Sequence, residues 1–136
     1  MTDLDVVAWV QVSDGRMLAV RSRGRDLLYL PGGKREPGED DWSALSREVR
    51  EELDLELDAA SFRELGVIHA PAHDQPGFAH VRMACFTASY TGAMAATGEV
   101  DEYVYIGPGE RHLLAPASQA ALDLAHRHGL LDPYAP

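Results

Sequence analysis

The run Arg47-Glu48-Val49-Arg50-Glu51-Glu52 sets three carboxylates within little more than one helical turn. Carboxylates gathered this closely, with no cysteine or histidine among them, are hard oxygen donors suited to Mg2+ or Mn2+ and unsuited to zinc. Divalent ions held in that way bridge phosphate oxygens and neutralise the charge of phosphoryl transfer. The competing reading is a solvated acidic face, partly neutralised by Arg47 reaching Glu51 at i+4 and by Arg50 reaching acids nearby. The helix by itself does not choose between them.

Charge is concentrated in the same place. The chain of 136 residues has 22 acidic and 12 basic residues, a formal −10, and ten of the acids fall in residues 36–58 beside only Arg47 and Arg50. That window carries −8 and everything else together −2. Without a basic footprint the chain is a poor candidate for duplex nucleic acid or an anionic membrane surface. A composition of 46% hydrophobic and 25% charged residues is that of one soluble domain, which excludes disordered, collagen-like and disulfide-scaffold chains. Cys85, the one cysteine, stands in the apolar run Met83-Ala84-Cys85-Phe86 and reads as a buried small hydrophobe. The acidic N-terminus lacks the features of a signal peptide, and no apolar run approaches the ~18 residues of a membrane span, so the expected location is cytoplasmic.

Three carboxylates need a helix with a buried stripe to hold them. Residues 42–53 supply one, with Asp40 or Asp41 available as N-cap. At about 100° per residue, Trp42, Leu45, Val49 and Leu53 form the stripe. With Trp42 at zero, Glu51 falls near ~180°, Glu48 near ~240° and Glu52 near ~280°, so the carboxylates share the face opposite it. Ahead of the helix, 5–12 and 17–23 read as strands joined by Ser13-Asp14-Gly15-Arg16, whose Asp-Gly pair suits a type I′ turn. Leu27-Leu28-Tyr29-Leu30 reads as a short extended piece, and nothing regular is expected between Pro31 and Asp40. Strand-like runs follow at 63–70, 78–90 and 102–106. A second helix from Pro116 to His128 is stopped by Gly129, with Ala120, Leu122, Leu124 and Ala125 as its apolar side. This order predicts an α/β domain with a mixed sheet covered on both faces.

The loop ahead of the first helix separates the two readings of the acidic run. Leu30-Pro31-Gly32-Gly33-Lys34-Arg35-Glu36-Pro37-Gly38-Glu39 puts two glycines where backbone groups can approach a ligand closely. The full pattern is Gly33, five residues, Glu39, seven residues, Arg47-Glu48-Val49, one residue, Glu51-Glu52, two residues, Leu55. It resembles the signature box of the Nudix hydrolase (MutT-like) family. Asp54 stands where that family usually has glycine. A left-handed residue closing the helix is the plausible need there, and Asp tolerates that conformation at a cost of about 1–2 kcal/mol.

The resemblance implies a single domain over residues 1–136 with the Nudix α/β/α sandwich and its mixed sheet. It implies that Glu48, Glu51 and Glu52, with the Gly33 carbonyl, hold Mg2+ or Mn2+, that Arg47 orients a box glutamate, and that Glu39 supports the loop. The reaction it implies is hydrolysis of a nucleoside diphosphate linked to another group, by water attacking phosphorus, with a glutamate taking the proton. Glu48 is one candidate for that base. A glutamate from Gly98-Glu99-Val100-Asp101-Glu102 is another, with Glu102 preferred as fourth acidic ligand or base and Glu99 second. Arg21, Arg23 and Lys34 flank the loop and could pair with phosphates, while Tyr29 could stack on a base. Against these stand solvated arginines and a core-edge tyrosine.

His69, His73 and His80 lack a metal-binding spacing and read as surface or core residues. Pro71 lies sixteen residues beyond Leu55, where ADP-ribose-cleaving members tend to have a proline. The compact chain, without an N-terminal dimerisation extension, looks more like members acting on nucleoside triphosphates. The first expectation is therefore a (deoxy)nucleoside triphosphate pyrophosphohydrolase, with ADP-ribose or a nucleotide sugar as the alternative substrate. A non-catalytic nucleotide-sensing module is the alternative of another class, and the intact set of carboxylates stands against it. The expected partner is a small nucleotide, bound by a monomer or homodimer.

Overall fold

A computed structural model describes residues 3–73 and 75–134. In chain order the strands and helices are β1 (Leu4–Trp9), β2 (Val12–Ser13), β3 (Arg16–Ser22), β4 (Gly32–Lys34), α1 (Asp41–Leu53), β5 (Glu56–Leu57), β6 (Arg63–Pro71), β7 (His80–Thr87), β8 (Tyr90–Thr91), β9 (Val100–Ile106) and α2 (Pro116–Arg127). Short 3-10 turns occupy Ala59–Ser61 and Pro108–Leu113.

Side-chain alternation along the strands divides the apolar residues between two cores. Leu4, Val6, Ala8 and Val10 join Met17, Ala19, Met83 and Cys85 beneath Ala121, Leu122, Leu124 and Ala125 of α2. Val7 and Trp9 join Leu18, Val20, Ala84 and Phe86 beneath Ala44, Leu45, Val49 and Leu53 of α1. One helix covers each face, giving the expected α/β/α sandwich. Cys85 is fully buried, and burial pushes its thiol up to about 12.

The sheet is more divided than the sequence suggests. A four-stranded mixed sheet runs β4-β1-β7-β6, with β1 and β7 parallel and the other pairs antiparallel. A three-stranded antiparallel sheet runs β2-β3-β9, and β5 pairs with β8. The apolar run 5–12 spans two sheets: Val10 N–H donates to Phe86 O in the first, and Gln11 O accepts from Leu18 N–H beside the second. The run 78–90 likewise breaks after Thr87, where Ser89 N–H donates to Ser61 Oγ and the chain turns to meet β5. Hydropathy does not register such a change of sheet because both halves stay apolar.

The expectation of no regular structure before Asp40 is corrected by β4. Gly32 has φ +144°, and a Cβ there would lie 2.0 Å from Val7 O. Only glycine allows β4 to press against β1, so the residues that suggested a loop are what make the strand. The Asp-Gly hairpin is as expected, with Asp14 at φ 53° and Gly15 at φ 75°, the two left-handed positions of a type I′ turn.

The first helix begins at Asp40, whose side chain accepts from Ser43 N–H at 2.8 Å. It ends at Asp54, left-handed at φ 58°, ψ 40°. Asp54→Gly is expected to stabilise the protein by about 1 kcal/mol, because it relieves that conformation and removes an anion from the negative end of the helix. A denaturant midpoint at or below wild type would show that Asp54 is not strained. No helix among the described residues is long and apolar enough to cross a membrane.

Candidate active site

Arg47 is the hub of the box. Its Nε and Nη2 donate to the two carboxylate oxygens of Glu39 at 2.8 and 2.9 Å, a bidentate pair that clamps the loop to the helix. Nη2 also donates to Lys34 O at 3.1 Å, and Nη1 reaches Glu48 Oε1 at 3.1 Å and Glu51 Oε2 at 3.3 Å. The paired hydrogen bonds from Arg47 hold the Glu39 carboxyl down at about 2, and these contacts together push the Arg47 guanidinium pKa up. Glu36 N–H donates to Glu39 Oε1 at 2.7 Å and closes the loop on itself. Glu39 thus joins the loop to the helix through Arg47.

The three glutamates do not share one solvated face. Glu51 is exposed, but burial raises the Glu48 carboxyl against the pull of Arg47, and burial pushes Glu52 up to about 8. At ~280° around the helix, Glu52 stands only about 20° from Leu45, at the border of the buried stripe. Its Oε1 accepts one hydrogen bond, from Gly32 N–H at 2.9 Å, and no ion pair is formed by Glu52 among the described residues. Next to it, a Cβ at Gly33 would lie 2.7 Å from Glu48 Oε1, so glycine is what lets the loop backbone lie against that carboxylate.

These residues fit a hard divalent cation. A buried carboxyl without a countercharge, a half-buried one and an exposed one stand on one helix turn, beside a glycine backbone packed against one of them. Among the described residues no three acids or histidines converge into a closed cage, and Glu48 and Glu51 both turn to Arg47 Nη1.

A solvent-open cleft is lined by Glu52, Gly32 and Gly33, by Arg25, Tyr29, His73 and Gln75, and by Pro116 and Ala117 of α2. Within this lining the Tyr29 and His73 rings lie 6.2 Å apart, tilted by 40°, and the Arg25 guanidinium stands 5.8 Å from the Tyr29 ring centre. His73 Nε2 is 3.4 Å from Asp26 Oδ1, a contact that holds the Asp26 carboxyl below its usual range.

Of the residues singled out for substrate, Tyr29 lines this cleft, whereas Arg21, Arg23 and Lys34 do not. Arg21 forms an ion pair with Glu102 across the β3–β9 register and donates to Asp26 O at 2.7 Å. Arg23 is exposed, and its N–H donates to Glu99 O at 3.0 Å; Lys34 Nζ stands 5.7 Å from the Phe78 ring centre. Glu102 is therefore engaged by a guanidinium, and Glu99 is exposed in the loop before β9. His69 and His80 lie on β6 and β7, opposite Arg82 and Pro71. Sequence reasoning missed Arg25, His73 and Gln75. Arg25 follows a glycine break and His73 sits between strands, and nothing local signals that those two connections meet.

A family model described as the NUDIX domain matches residues 1–127. The E. coli ORF135 protein is similar in structure, with 28% identity and a TM-score of 0.74 over 93% of this chain and 91% of that one. A MutT NUDIX hydrolase from Burkholderia pseudomallei (21% identity, TM-score 0.73, 91% and 98% covered) and a NUDIX hydrolase from Nitrosomonas europaea (20%, 0.75, 98% and 94%) share the fold. No curated protein matches the chain significantly. The family match spans nearly the whole chain, and the box it contains is assembled around Arg47 as described; the chain belongs to the Nudix hydrolase family, whose members use divalent ions to cleave phosphoric anhydrides in nucleoside diphosphate derivatives.

Proposed function

We propose that the protein is a Mg2+-dependent pyrophosphohydrolase of nucleoside or deoxynucleoside triphosphates, releasing monophosphate and pyrophosphate. The observation that carries this reading is the cleft itself, whose lining includes both the buried Glu52 carboxyl and one aromatic pair, Tyr29 with His73. That lining suits one base against the aromatic pair, with the phosphates directed at the acidic helix.

Glu48, Glu51, Glu52 and the Gly33 carbonyl would hold the cation, or Mn2+ in its place. When bound, the cation neutralises the pyrophosphate and lowers the pKa of the attacking water. Water oxygen attacks phosphorus, the bond from phosphorus to the bridging oxygen breaks, and the water proton passes to a glutamate. Glu48 is the preferred acceptor, because its burial raises its proton affinity toward the working range while Arg47 holds its orientation. The alternative acceptors are Glu99, in the loop before β9, and the Arg21-paired Glu102, on β9 itself.

Pro71 in the cleft wall favours ADP-ribose as the second reading. One panel decides: nucleoside and deoxynucleoside triphosphates, ADP-ribose and nucleotide sugars, each with Mg2+ or with chelator, products separated by chromatography. Monophosphate and pyrophosphate from a triphosphate, lost on chelation, is the expected outcome. AMP with ribose 5-phosphate as the dominant products moves the assignment to ADP-ribose, and no metal-stimulated cleavage of any compound points to a nucleotide-holding module.

A further inference from the structure

The last turn of a helix leaves four carbonyls without intrahelical partners. In α1 all four are met. Asp54 N–H donates to Arg50 O at 3.1 Å. The other three are taken by a segment 46 residues on: Thr97 Oγ1 donates to Glu51 O at 2.7 Å, Thr97 N–H to Glu52 O at 2.9 Å and Ala95 N–H to Leu53 O at 3.0 Å. Gly98 follows at φ +60°, and a Cβ there would lie 3.0 Å from Glu51 O, so the backbone is pressed against the helix end.

The segment is itself anchored. Thr97 O accepts from Val100 N–H at 3.1 Å, Val100 is buried in the core beneath α1, and Glu99 O accepts from Arg23 N–H. A helix end without such partners frays and hands its carbonyls to water. This end is closed by a left-handed Asp54, which makes the outside support more consequential.

We infer that Thr97 is a positioning residue for the metal carboxylates. Its hydroxyl and amide tie off the peptide units of Glu51 and Glu52, and so set how those side chains stand to Glu48 and to the loop carrying Glu99. The inference rests on the metal-binding reading proposed above. Thr97 touches neither substrate nor cation; it acts through the helix end.

The test is Mn2+ binding to the nucleotide-free protein, measured by electron paramagnetic resonance, for wild type, Thr97→Val and Thr97→Ser. Valine keeps the shape and the amide bond but removes the hydroxyl donor. Thr97→Val is expected to weaken Mn2+ binding by about tenfold, in the range found when a group supporting a metal ligand is lost. Thr97→Ser should bind close to wild type, and the valine variant should lower kcat with little change in nucleotide KM. Mn2+ binding by Thr97→Val as tight as wild type overturns the inference. If that variant does not fold, Gly98→Ala carries the test, since it keeps Thr97 but crowds the same carbonyl; unchanged Mn2+ binding there overturns the inference too. A wild-type protein that binds no Mn2+ fails differently: it overturns the metal reading itself, before any variant is compared.

Discussion

Glu52→Gln is expected to lower turnover by at least about a hundredfold while leaving the metal-free protein as stable as wild type or more so near pH 8. The two halves of that result have one cause. Burial pushes the Glu52 carboxyl up to about 8, so at neutral pH without metal it is largely protonated, and a neutral amide of the same shape replaces it with its Gly32 N–H contact intact. A cation needs the ionised form, which glutamine cannot supply. Because the folded-state pKa is raised from 4.5 to about 8, the folded protein binds the extra proton in that window. Stability of the metal-free wild type should therefore fall as pH rises from about 4.5 to about 8, by an amount on the order of a few kcal/mol, and then level off. Thermal melts in chelator should show that slope in wild type and lose it in Glu52→Gln. Wild-type activity in the variant would remove Glu52 from the ligand set, and parallel pH slopes would refute its burial.

Arg47→Lys is the second large effect, although it keeps the charge. The guanidinium serves Glu39 through two parallel hydrogen bonds, Lys34 O through a third, and Glu48 and Glu51 through its remaining nitrogen. An ammonium on a flexible stem cannot reproduce that fork. Part of the network is exposed and screened, so the expected destabilisation is about 2 kcal/mol, below the loss seen when one partner of a fully buried pair is removed. For a chain of this size that is a fall in melting temperature of roughly 6–8 °C. Turnover should fall by about tenfold or more, because Glu48 loses the contact that orients it. Arg47→Ala should be worse on both counts, as it leaves Glu39 and Glu48 without their cation. A lysine variant with wild-type melting and turnover would mean that Arg47 acts only as a charge.

Much of the site was legible because it is local. Glu48, Glu51, Glu52 and Arg47 lie on one helix, whereas the pairing of Arg47 with Glu39, eight residues earlier in the loop, follows from how the loop folds back on the helix. The hairpin at Asp14-Gly15 and the left-handed Asp54 were legible for the same reason: each is a demand that a few backbone atoms place on their own residues. The burial of Glu52 was less so. Its angular position put it beside Leu45, but whether a border residue faces water depends on what lies across from it, here the β4 backbone.

The rest of the cleft lining was not legible, since Arg25, Tyr29, His73 and Pro71 come from separate connections and strands that meet only when the sheets are assembled. The same holds for Arg21 and Glu102. By sequence Arg21 is a candidate for phosphate and Glu102 for the cation or the proton, and the β3–β9 register pairs them with each other.

The sequence by itself determined the family and the acidic helix, because short-range spacing and backbone conformation carry that information. The tertiary structure decided which carboxylate is buried, which cations are already paired, and which residues wall the cleft beside it. It also joined Thr97 to the end of the acidic helix 46 residues earlier. Those outcomes depend on strand register and on the packing of one layer against another, which no window of neighbouring residues contains.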